Sequence, residues 1–256
     1  MVEQTKPMTD PLFDIKDKVY LIAGACGGLA SPLLEEIAAR GVKMALYDKD
    51  EAGIIELKSK YPHALVRAGS INCEKSVNAC VDKIIEKYGV LDGIINAAGV
   101  LPISQSLTID FELFKECIDI NLNGAFLLSK CSARVMQERG GRIIHIASVS
   151  SSVANIDYSA YASSKAALSQ LTRVLAREWA PKNILVNAIG PALTETNLTT
   201  SYLSDPEFRQ NAISSIPMNR LGLANDLVGP IIMLMAKSGA FITGQTIYVD
   251  GGRTTV

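Results

Sequence analysis

Short apolar runs, separated by amphipathic stretches, constrain the fold of this chain more than any other feature of its sequence. Most of these runs lack alternation between apolar and polar side chains, which is typical of strands that are covered on both faces. Between the runs, apolar residues recur at helical spacing, as in Val77, Val81, Ile84 and Tyr88. The strand-like runs are residues 19–23, 43–47, 65–68, 93–96, 142–147, 184–189 and 246–249.

Strand, helix and strand repeated in this way predict an α/β fold in which right-handed crossovers connect parallel strands. We expect one doubly wound, seven-stranded parallel sheet with helices on both faces. A chain of 256 residues with 48% hydrophobic composition can bury one large core, so residues 16–256 are predicted to form a single domain. Residues 1–15 are predicted to be a loose arm, and the long polar segment 192–223 a lid over the substrate site.

Charge and hydropathy exclude several classes of partner. The net charge of −1 and the absence of a Lys/Arg run leave no basic surface for nucleic acid. The longest strongly apolar run, residues 227–236, is too short to span a bilayer, and the first ten residues lack the apolar core of a signal peptide. We therefore expect a cytoplasmic protein without nucleic-acid or membrane partners.

Cysteine and histidine usage argues against a metal site. The five cysteines show no paired ligand spacing, and the two histidines, His63 and His145, lie far apart in sequence. We predict neither a metal centre nor a disulfide framework. Cys26 lies in a glycine-rich loop and invites a redox interpretation, but a buried, inert thiol is favoured. His145 lies within an apolar run, which indicates a structural role.

Tyr161 and Lys165 form the most informative polar pattern. Residues four apart share one face of a helix, so the lysine ammonium would lie beside the phenol. Bringing the pKa of tyrosine from about 10 to near neutrality requires roughly 4 kcal/mol, much of which a close lysine could supply. None of the other seven tyrosines has a lysine four residues later. Ser148, thirteen positions before Tyr161, could place a hydroxyl near this pair. Taken alone, the pair of Tyr161 and Lys165 could also be ordinary helix surface.

A glycine-rich loop follows the first predicted strand. The sequence Ala-Gly-Ala-Cys-Gly-Gly-Leu-Ala at residues 23–30 precedes a helix, where glycines allow a backbone to approach a pyrophosphate. A tight structural turn would look similar. Asp48 ends the second strand twenty residues after Gly28, where a carboxylate can accept hydrogen bonds from ribose hydroxyls and repel a 2′-phosphate. This arrangement favours NAD over NADP, while the adjacent Lys49 keeps NADP open.

With these motifs in order, residues 15–252 resemble the short-chain dehydrogenase/reductase family, in its shorter oxidoreductase branch. The glycine spacing alone would also fit the extended branch, which includes epimerases and dehydratases. Three features favour the shorter branch: the short chain, the Asn-Ala-Ala-Gly sequence at residues 96–99 and the C-terminal ending. The matching positions are Gly24, Gly28 and Ala30 in the loop, residues 96–99, Asn121, Ser148, Tyr161, Lys165, residues 187–196 and residues 242–252.

The resemblance implies a Rossmann-type domain with a defined set of site residues. It assigns Tyr161 as the acid/base, Lys165 as the group that lowers the pKa of Tyr161 and holds the nicotinamide ribose, and Ser148 as the hydrogen-bond partner of the substrate oxygen. Asn121 is expected to hold a water that links Lys165 to solvent. Each of these residues, taken singly, could instead be structural. The cofactor-binding residues implied are Gly24, Gly28, Leu29, Asp48, Ser70, Ile71, Asn96, Gly99, Tyr161, Lys165, Pro191, Leu193 and Thr196.

The function expected from this resemblance is NAD(H)-dependent oxidation of a secondary alcohol, or reduction of the ketone. A polyol, a sugar acid and a cyclic alcohol are all open as substrates. Polar residues expected at the mouth of the pocket are Ser150, Ser151, Ser152, Asn155, Thr194 and Asn197. The alternatives are a 3-oxoacyl-thioester reductase and an NAD-binding protein without catalysis.

Members of this family commonly assemble as homotetramers. We therefore expect a homo-oligomer, a tetramer, formed through two long helices at residues 111–137 and 158–178 and through the C-terminal segment. Apolar residues such as Phe126, Leu127 and Trp179 would serve this interface, but they could equally belong to the core.

Overall fold

The computed structural model describes residues 10–256, and the strands within this range form one sheet. They are β1 (Val19–Ala23), β2 (Lys43–Asp48), β3 (Leu65–Ala68), β4 (Gly93–Asn96), β5 (Gly141–Ile146), β6 (Ile184–Pro191) and β7 (Thr246–Val249). All neighbours pair in parallel, in the order β3-β2-β1-β4-β5-β6-β7. The predicted seven-stranded parallel α/β fold is confirmed.

Helices cover both faces of the sheet. Three of them start after an aspartate, Asp50, Asp110 or Asp205, whose carboxylate accepts backbone N–H bonds of the first turn. Within residues 10–256, no helix has an apolar stretch long enough to cross a lipid bilayer. The helices are α1 (Ala30–Ala39), α2 (Glu51–Lys60), α3 (Glu74–Tyr88), α4 (Phe111–Ile118), α5 (Ala125–Met136), α6 (Ser159–Trp179), α7 (Thr200–Leu203), α8 (Pro206–Ser214) and α9 (Ala224–Met235).

The core has one apolar layer on each face of the sheet. Buried residues of α1 and α9 pack on one face, and buried residues of α3, α5 and α6 pack on the other. The chain winds outward from β1 to β3 and then crosses to β4, on the opposite side of β1. The carboxyl ends of β1 and β4 therefore flank the point where the winding reverses, which is where open parallel sheets bind ligands.

The structure of two segments differs from what the sequence pattern predicts. Residues 111–137 do not form one α-helix, because a π-helical turn over Asp119–Gly124 separates α4 from α5. Such turns occur frequently at functional sites. The polar segment 192–223 contains α7 and α8, and its Ala192, Leu203 and Ile216 form a small apolar cluster with Val149. This cluster holds the segment against the carboxyl edge of the sheet.

The predicted N-terminal arm lies partly outside the described residues, which begin at position 10. Within the described part, the Leu12 carbonyl accepts a hydrogen bond of 2.9 Å from the backbone N–H of Ser238. Ile15 is buried among the side chains of the first apolar layer. The domain therefore includes contacts from residues that precede β1.

His145 is a buried histidine in the middle of the sheet. Its Nε2 lies 3.2 Å from the Ser129 hydroxyl, and burial, assisted by the charge of Lys165, lowers its pKa to about 3. The unfolded chain takes up this proton below about pH 6.5 and the folded chain does not, so stability is lost as the pH falls below that value.

We expect the free energy of unfolding to fall by about 2 kcal/mol more in the wild type than in His145→Gln between pH 7 and pH 5. Urea denaturation at both pH values measures this difference. His63→Gln is the matched control, since His63 is exposed. Equal pH sensitivity of wild type and His145→Gln would refute the assignment.

Candidate active site

Two adjoining cavities open at the carboxyl edge of the sheet. The first, about 320 Å³, is lined by Ser148, Tyr161 and Lys165, and we call it the Tyr161 cavity. The second, about 600 Å³, contains the glycine-rich loop and Asp48, and we call it the glycine-loop cavity. The residues that line both are Leu29, Ala97, Gly99, Val100, Thr196 and Leu198. A ligand in one cavity can therefore contact a ligand in the other.

The glycines of the loop permit close backbone approaches. Gly24 has a φ of +77°, and a Cβ added there would lie 2.4 Å from the backbone nitrogen of Ala98. A Cβ at Gly28 would lie 3.0 Å from the Cβ of Thr196. Helix α1 then starts without a side-chain cap at Leu29. An uncapped helix N-terminus beside a glycine cradle fits the pyrophosphate of a dinucleotide.

Asp48 is held rigidly at the end of β2. One carboxylate oxygen accepts the backbone N–H of Cys26 at 2.9 Å, and the other accepts that of Asp50 at 3.0 Å. Each oxygen retains a lone pair that can accept a ribose hydroxyl. Burial, and then the charges of Asp48 and Asp50, raise the pKa of the Cys26 thiol to about 12. This thiol is therefore a poor nucleophile, because reactivity requires the thiolate.

The far end of the glycine-loop cavity is formed by residues after β3. The Ser70 hydroxyl hydrogen-bonds the side-chain oxygen of Asn72, whose amide donates to Asp119. Ile71 is buried and packs against Gly124, where an added Cβ would lie 2.7 Å from its side chain. Ser70 and Ile71 thus line the cavity as the resemblance implied, and Asn72 is a lining residue that the sequence did not reveal.

Lys165 is buried on α6 at the floor of the Tyr161 cavity. Its Nζ donates a hydrogen bond of 2.7 Å to the carbonyl of Ile146 and lies 5.6 Å from the ring centroid of Tyr161. Burial lowers the pKa of Lys165 to about 8, although the neighbouring Cys117 opposes this shift. The predicted proximity of Lys165 and Tyr161 is therefore present in the folded chain.

Burial dominates the acidity of Tyr161. It raises the pKa of the phenol to about 12, whereas hydrogen bonding with the Ser148 side chain lowers it. Ser148 follows β5, and its Oγ accepts the backbone N–H of Ser150 at 3.1 Å. The hydroxyl proton of Ser148 remains available for a phenol or a substrate oxygen. In the protein alone, burial therefore outweighs the lowering of the pKa that the sequence led us to expect from Lys165.

Asn121 lies in the π-helical turn and joins three parts of the site. Its Oδ1 accepts the N–H of Val100 at 2.9 Å, and its Nδ2 donates to the Val100 carbonyl at 3.0 Å and to the Ser164 hydroxyl at 2.9 Å. A Cβ added at Gly99 would lie 3.1 Å from Asn121 Oδ1 and 3.5 Å from Lys165 Nζ. Asn121 therefore lies near Lys165 while its side chain binds the protein itself.

Of the remaining predicted residues, six line one of the two cavities and three line neither. Asn96 lines neither of them; it is buried, and its Oδ1 accepts the N–H of Ala98 at 3.3 Å. Ser151 and Ser152 also line neither cavity. The Ser151 hydroxyl contacts that of Tyr248 at 3.0 Å. Lining the Tyr161 cavity are Pro191, Leu193, Ser150, Asn155 and Thr194, while Asn197 lines the glycine-loop cavity.

Sequence reasoning missed several residues that line the Tyr161 cavity. They come from α8, from the loop after β4 and from the end of the chain, and no spacing pattern links them to Tyr161. Tyr158 is the exception, since it lies three residues before Tyr161 and contacts its ring edge-on at 5.9 Å between centroids. Other missed residues include Leu101 in the loop after β4, Asn211 on α8, Ser215 just after α8, and Arg253.

One crevice of the doubly wound sheet brings together all the groups described above. They are the glycine cradle, the carboxylate at the end of β2 and the side chains of Ser148, Tyr161 and Lys165. Together they define a dinucleotide-binding oxidoreductase. The family model described as enoyl-(acyl carrier protein) reductase matches residues 24–254. The chain belongs to the short-chain dehydrogenase/reductase family.

Several members of this family are similar to this chain over nearly its whole length. The 2-dehydro-3-deoxy-D-gluconate 5-dehydrogenase of Formosa agariphila is 34% identical and covers 96% of both chains. The 3-oxoacyl-[acyl-carrier-protein] reductase of Escherichia coli is 33% identical and covers 93% of this chain and 98% of its own. A crystal structure of gluconate 5-dehydrogenase from Burkholderia cenocepacia, in complex with NADP and tartrate, has a TM-score of 0.92 at 27% identity, with 96% of this chain and 98% of that chain covered.

The protein is therefore an enzyme that uses a nicotinamide cofactor to oxidise alcohols or reduce ketones. The predicted family, fold and reaction class are confirmed. Neither the family nor its relatives distinguish NAD from NADP for this chain.

Proposed function

We propose that the protein transfers hydride between NAD(H) and a secondary alcohol or ketone of the polyol or sugar-acid type. The observation that carries this proposal is the convergence of Ser148, Tyr161 and Lys165 on one cavity that adjoins the glycine-loop cavity. Apolar side chains form most of the remaining wall of the Tyr161 cavity, and among them Asn155, Thr194 and Asn211 supply polar groups for a substrate with several hydroxyl groups. Relatives named for sugar-acid substrates support the same class.

The chain's own residues supply proton transfer and positioning. Nicotinamide, when bound, supplies the hydride acceptor or donor. Tyr161 takes the proton of the substrate hydroxyl during oxidation and returns it during reduction. Ser148 donates a hydrogen bond to the substrate oxygen and stabilises the charge that develops there.

Other residues of the site support this acid/base group. Lys165, next to Tyr161, stabilises its phenolate form and holds the ribose. Asn121 positions the Lys165 end of the site, including a water that connects it to solvent. Thr196, beside Gly28, contacts the carboxamide of the cofactor.

Reduction of 3-oxoacyl thioesters is the second candidate. The similarity to the Escherichia coli 3-oxoacyl-[acyl-carrier-protein] reductase favours it. Asp48 disfavours the 2′-phosphate of NADPH, and the sequence has no Lys/Arg run that could bind an acidic carrier protein. A protein that binds the dinucleotide without catalysis is disfavoured, because Tyr161 and Lys165 are both present in the cavity.

A screen of alcohols and ketones, followed by absorbance of the reduced nicotinamide, tests the proposal. It should include polyols, sugar acids, cyclic alcohols and a 3-oxoacyl thioester, each with both cofactors. We expect the highest kcat/KM with NAD and a polyhydroxylated substrate. A higher kcat/KM with NADPH and the thioester would replace the proposal with the second candidate, and tight NAD binding without turnover of any substrate would refute catalysis.

Asp48→Asn should reduce the preference for NAD over NADP by about tenfold or more. The amide keeps an oxygen for one backbone N–H, but it loses the charge that repels a 2′-phosphate and that strengthens hydrogen bonds from the ribose. The ratio of kcat/KM for the two cofactors measures the effect. An unchanged ratio would show that another group selects the cofactor. Asp82→Asn on α3 is the control, since Asp82 is exposed and lines neither cavity.

We also propose a cytoplasmic location and a homotetramer. The location is supported by all five cysteines being unpaired, as in a reducing compartment. The tetramer is supported by exposed apolar residues on the helices expected at the interface, including Phe111, Phe126 and Val174. Light scattering should give about four times the chain mass of 27.5 kDa, and a monomeric mass would refute the assembly.

A further inference from the structure

Arg253, near the end of the chain, lines the same cavity as Ser148, Tyr161 and Lys165. No aspartate or glutamate lines this cavity within the described residues. Arg253 is partly buried and makes no ion pair within residues 10–256. The cavity therefore carries an arginine charge that forms no ion pair with a carboxylate of the described chain, which favours an anionic ligand.

A tight turn fixes the backbone that carries Arg253. The Asp250 carboxylate accepts the N–H of Gly252 at 3.0 Å, and the N–H and hydroxyl of Thr254 at 2.8 and 2.7 Å. Burial opposes ionisation of Asp250, but these hydrogen bonds outweigh it and leave its pKa below the usual range. Gly252, at a φ of +91°, lies against Pro217, where an added Cβ would come within 3.1 Å. The turn is thus anchored on the segment after α8.

Hydrogen bonds connect Arg253 with the catalytic end of the cavity. Its Nη2 donates to the Asn155 side-chain oxygen at 3.3 Å, and the Asn155 amide donates to the Ser150 hydroxyl at 3.2 Å. The Ser150 N–H in turn donates to Ser148 Oγ at 3.1 Å. The contact with Asn155 leaves other N–H groups of the guanidinium for a ligand, because arginine has five.

We propose that Arg253 binds a carboxylate of the substrate, so that the enzyme acts on a hydroxy acid rather than on a neutral polyol. This inference rests on the proposed function and names the substrate class of the same site. The carboxylate lies at Arg253, and the carbon that is oxidised lies at Ser148 and Tyr161.

A carboxylate fits these groups better than a phosphate ester does. A planar guanidinium binds a carboxylate through two parallel hydrogen bonds. A phosphate dianion needs more donors, and the only other cation that lines the cavity within the described residues is Lys165. Its Nζ lies 5.6 Å from the ring centroid of Tyr161, at the end of the cavity assigned to the carbon that is oxidised.

The test compares substrates that differ only in the anionic group. D-gluconate, D-glucitol and D-glucitol 1-phosphate, and the corresponding five-carbon series, are assayed with wild type, Arg253→Met, Arg253→Lys and Arg139→Met. Arg139 is exposed in the loop after α5 and lines neither cavity, so its variant is the matched control. NADH titration by fluorescence reports whether each variant retains a folded cofactor site.

We expect the wild type and the Arg139 control to prefer the aldonate over the alditol. In Arg253→Met, the ratio of kcat/KM for aldonate to alditol should fall by about tenfold to a hundredfold, mainly through KM. Arg253→Lys should recover part of that ratio, because it keeps the charge without the planar fork.

Three outcomes would overturn the inference. An unchanged ratio in Arg253→Met would exclude carboxylate binding by this residue, even if the alcohol dehydrogenase activity stands. A wild-type preference for the alditol or the phosphate ester would exclude a carboxylate substrate while leaving the proposed oxidoreductase function intact. Absence of turnover with every hydroxy acid and alcohol of the screen would overturn the proposed function and this inference together.

Discussion

Tyr161→Phe should lower kcat by about 10²–10⁴-fold, the range that a positioned general acid/base contributes. Phenylalanine keeps the ring, its packing on α6 and its edge contact with Tyr158, but it removes the oxygen that exchanges the proton. The dissociation constant for NADH should change little, because the phenol oxygen is only one of many groups proposed to contact the cofactor. Steady-state kinetics at pH 8 and fluorescence titration measure the two quantities.

Two tyrosine variants separate this role from general effects of losing a hydroxyl. Tyr88→Phe on α3 should keep wild-type kcat, because the Tyr88 hydroxyl hydrogen-bonds the Met44 and His63 carbonyls away from both cavities. Tyr158→Phe should lose less than about tenfold, since Tyr158 lines the cavity without a lysine four residues later. A kcat of Tyr161→Phe within tenfold of wild type would exclude Tyr161 as the acid/base.

Lys165→Met should lower kcat for alcohol oxidation at pH 7, below the pKa of about 8 at which Lys165 loses its charge, by about 10²-fold, comparable to losing one electrostatic stabiliser in a buried site. Oxidation requires the phenolate of Tyr161, and burial holds the pKa of that phenol high, at about 12 in the protein alone. A neighbouring ammonium favours the phenolate, so its removal raises that pKa further. The rise of the oxidation rate with pH should therefore shift to higher pH in the variant.

Ketone reduction needs the opposite protonation state of Tyr161 and therefore provides an internal check. The reduction reaction needs the protonated phenol, so its rate should fall less at neutral pH than the oxidation rate does. Lys83→Met is the control, since Lys83 is exposed on α3 and pairs with Glu86. If kcat fell in Lys165→Met without any shift of the pH profile, the lysine would be a structural group and not a partner of Tyr161.

The sequence predicted the sheet well because its strands form short apolar runs, which are fully buried in β1 and β4 and partly buried in the edge strands β3 and β7. Continuous apolar runs without alternation indicate strands covered on both faces, and four of the seven match the observed bounds: β1, β3, β4 and β7. The ends of β2, β5 and β6 differ by one or two residues. Asp48 extends the pairing of β2 and Pro191 that of β6, whereas β5 is shifted by one residue, since it begins at Gly141 and ends at Ile146.

The π-helical turn at Asn121 could not be predicted from spacing. The apolar pattern across residues 111–137 continues through it, and the extra residue in the turn is stabilised by contacts from other parts of the chain. Asn121 hydrogen-bonds Val100 in the loop after β4 and Ser164 on α6. Such contacts depend on the tertiary fold, which no local pattern encodes.

The site was predictable where its residues follow a local pattern. Lys165 follows Tyr161 by one helical turn, and Asp48 and Ser148 lie at or just after strand ends that a parallel sheet brings to one edge. Arg253 was not predictable, because its position depends on how the C-terminal turn packs against the segment after α8. The raised pKa of Tyr161 was also missed, since it depends on burial rather than on the neighbouring lysine.

The most direct test of hydride transfer uses an alcohol that carries deuterium on the carbon to be oxidised, chosen as the fastest substrate in the screen. The wild-type enzyme is incubated with this alcohol and NAD, and the products are analysed by nuclear magnetic resonance. We expect one deuterium on the reduced nicotinamide ring for each ketone formed. Ketone formation with the deuterium released to water, or without reduced nicotinamide, would contradict the account.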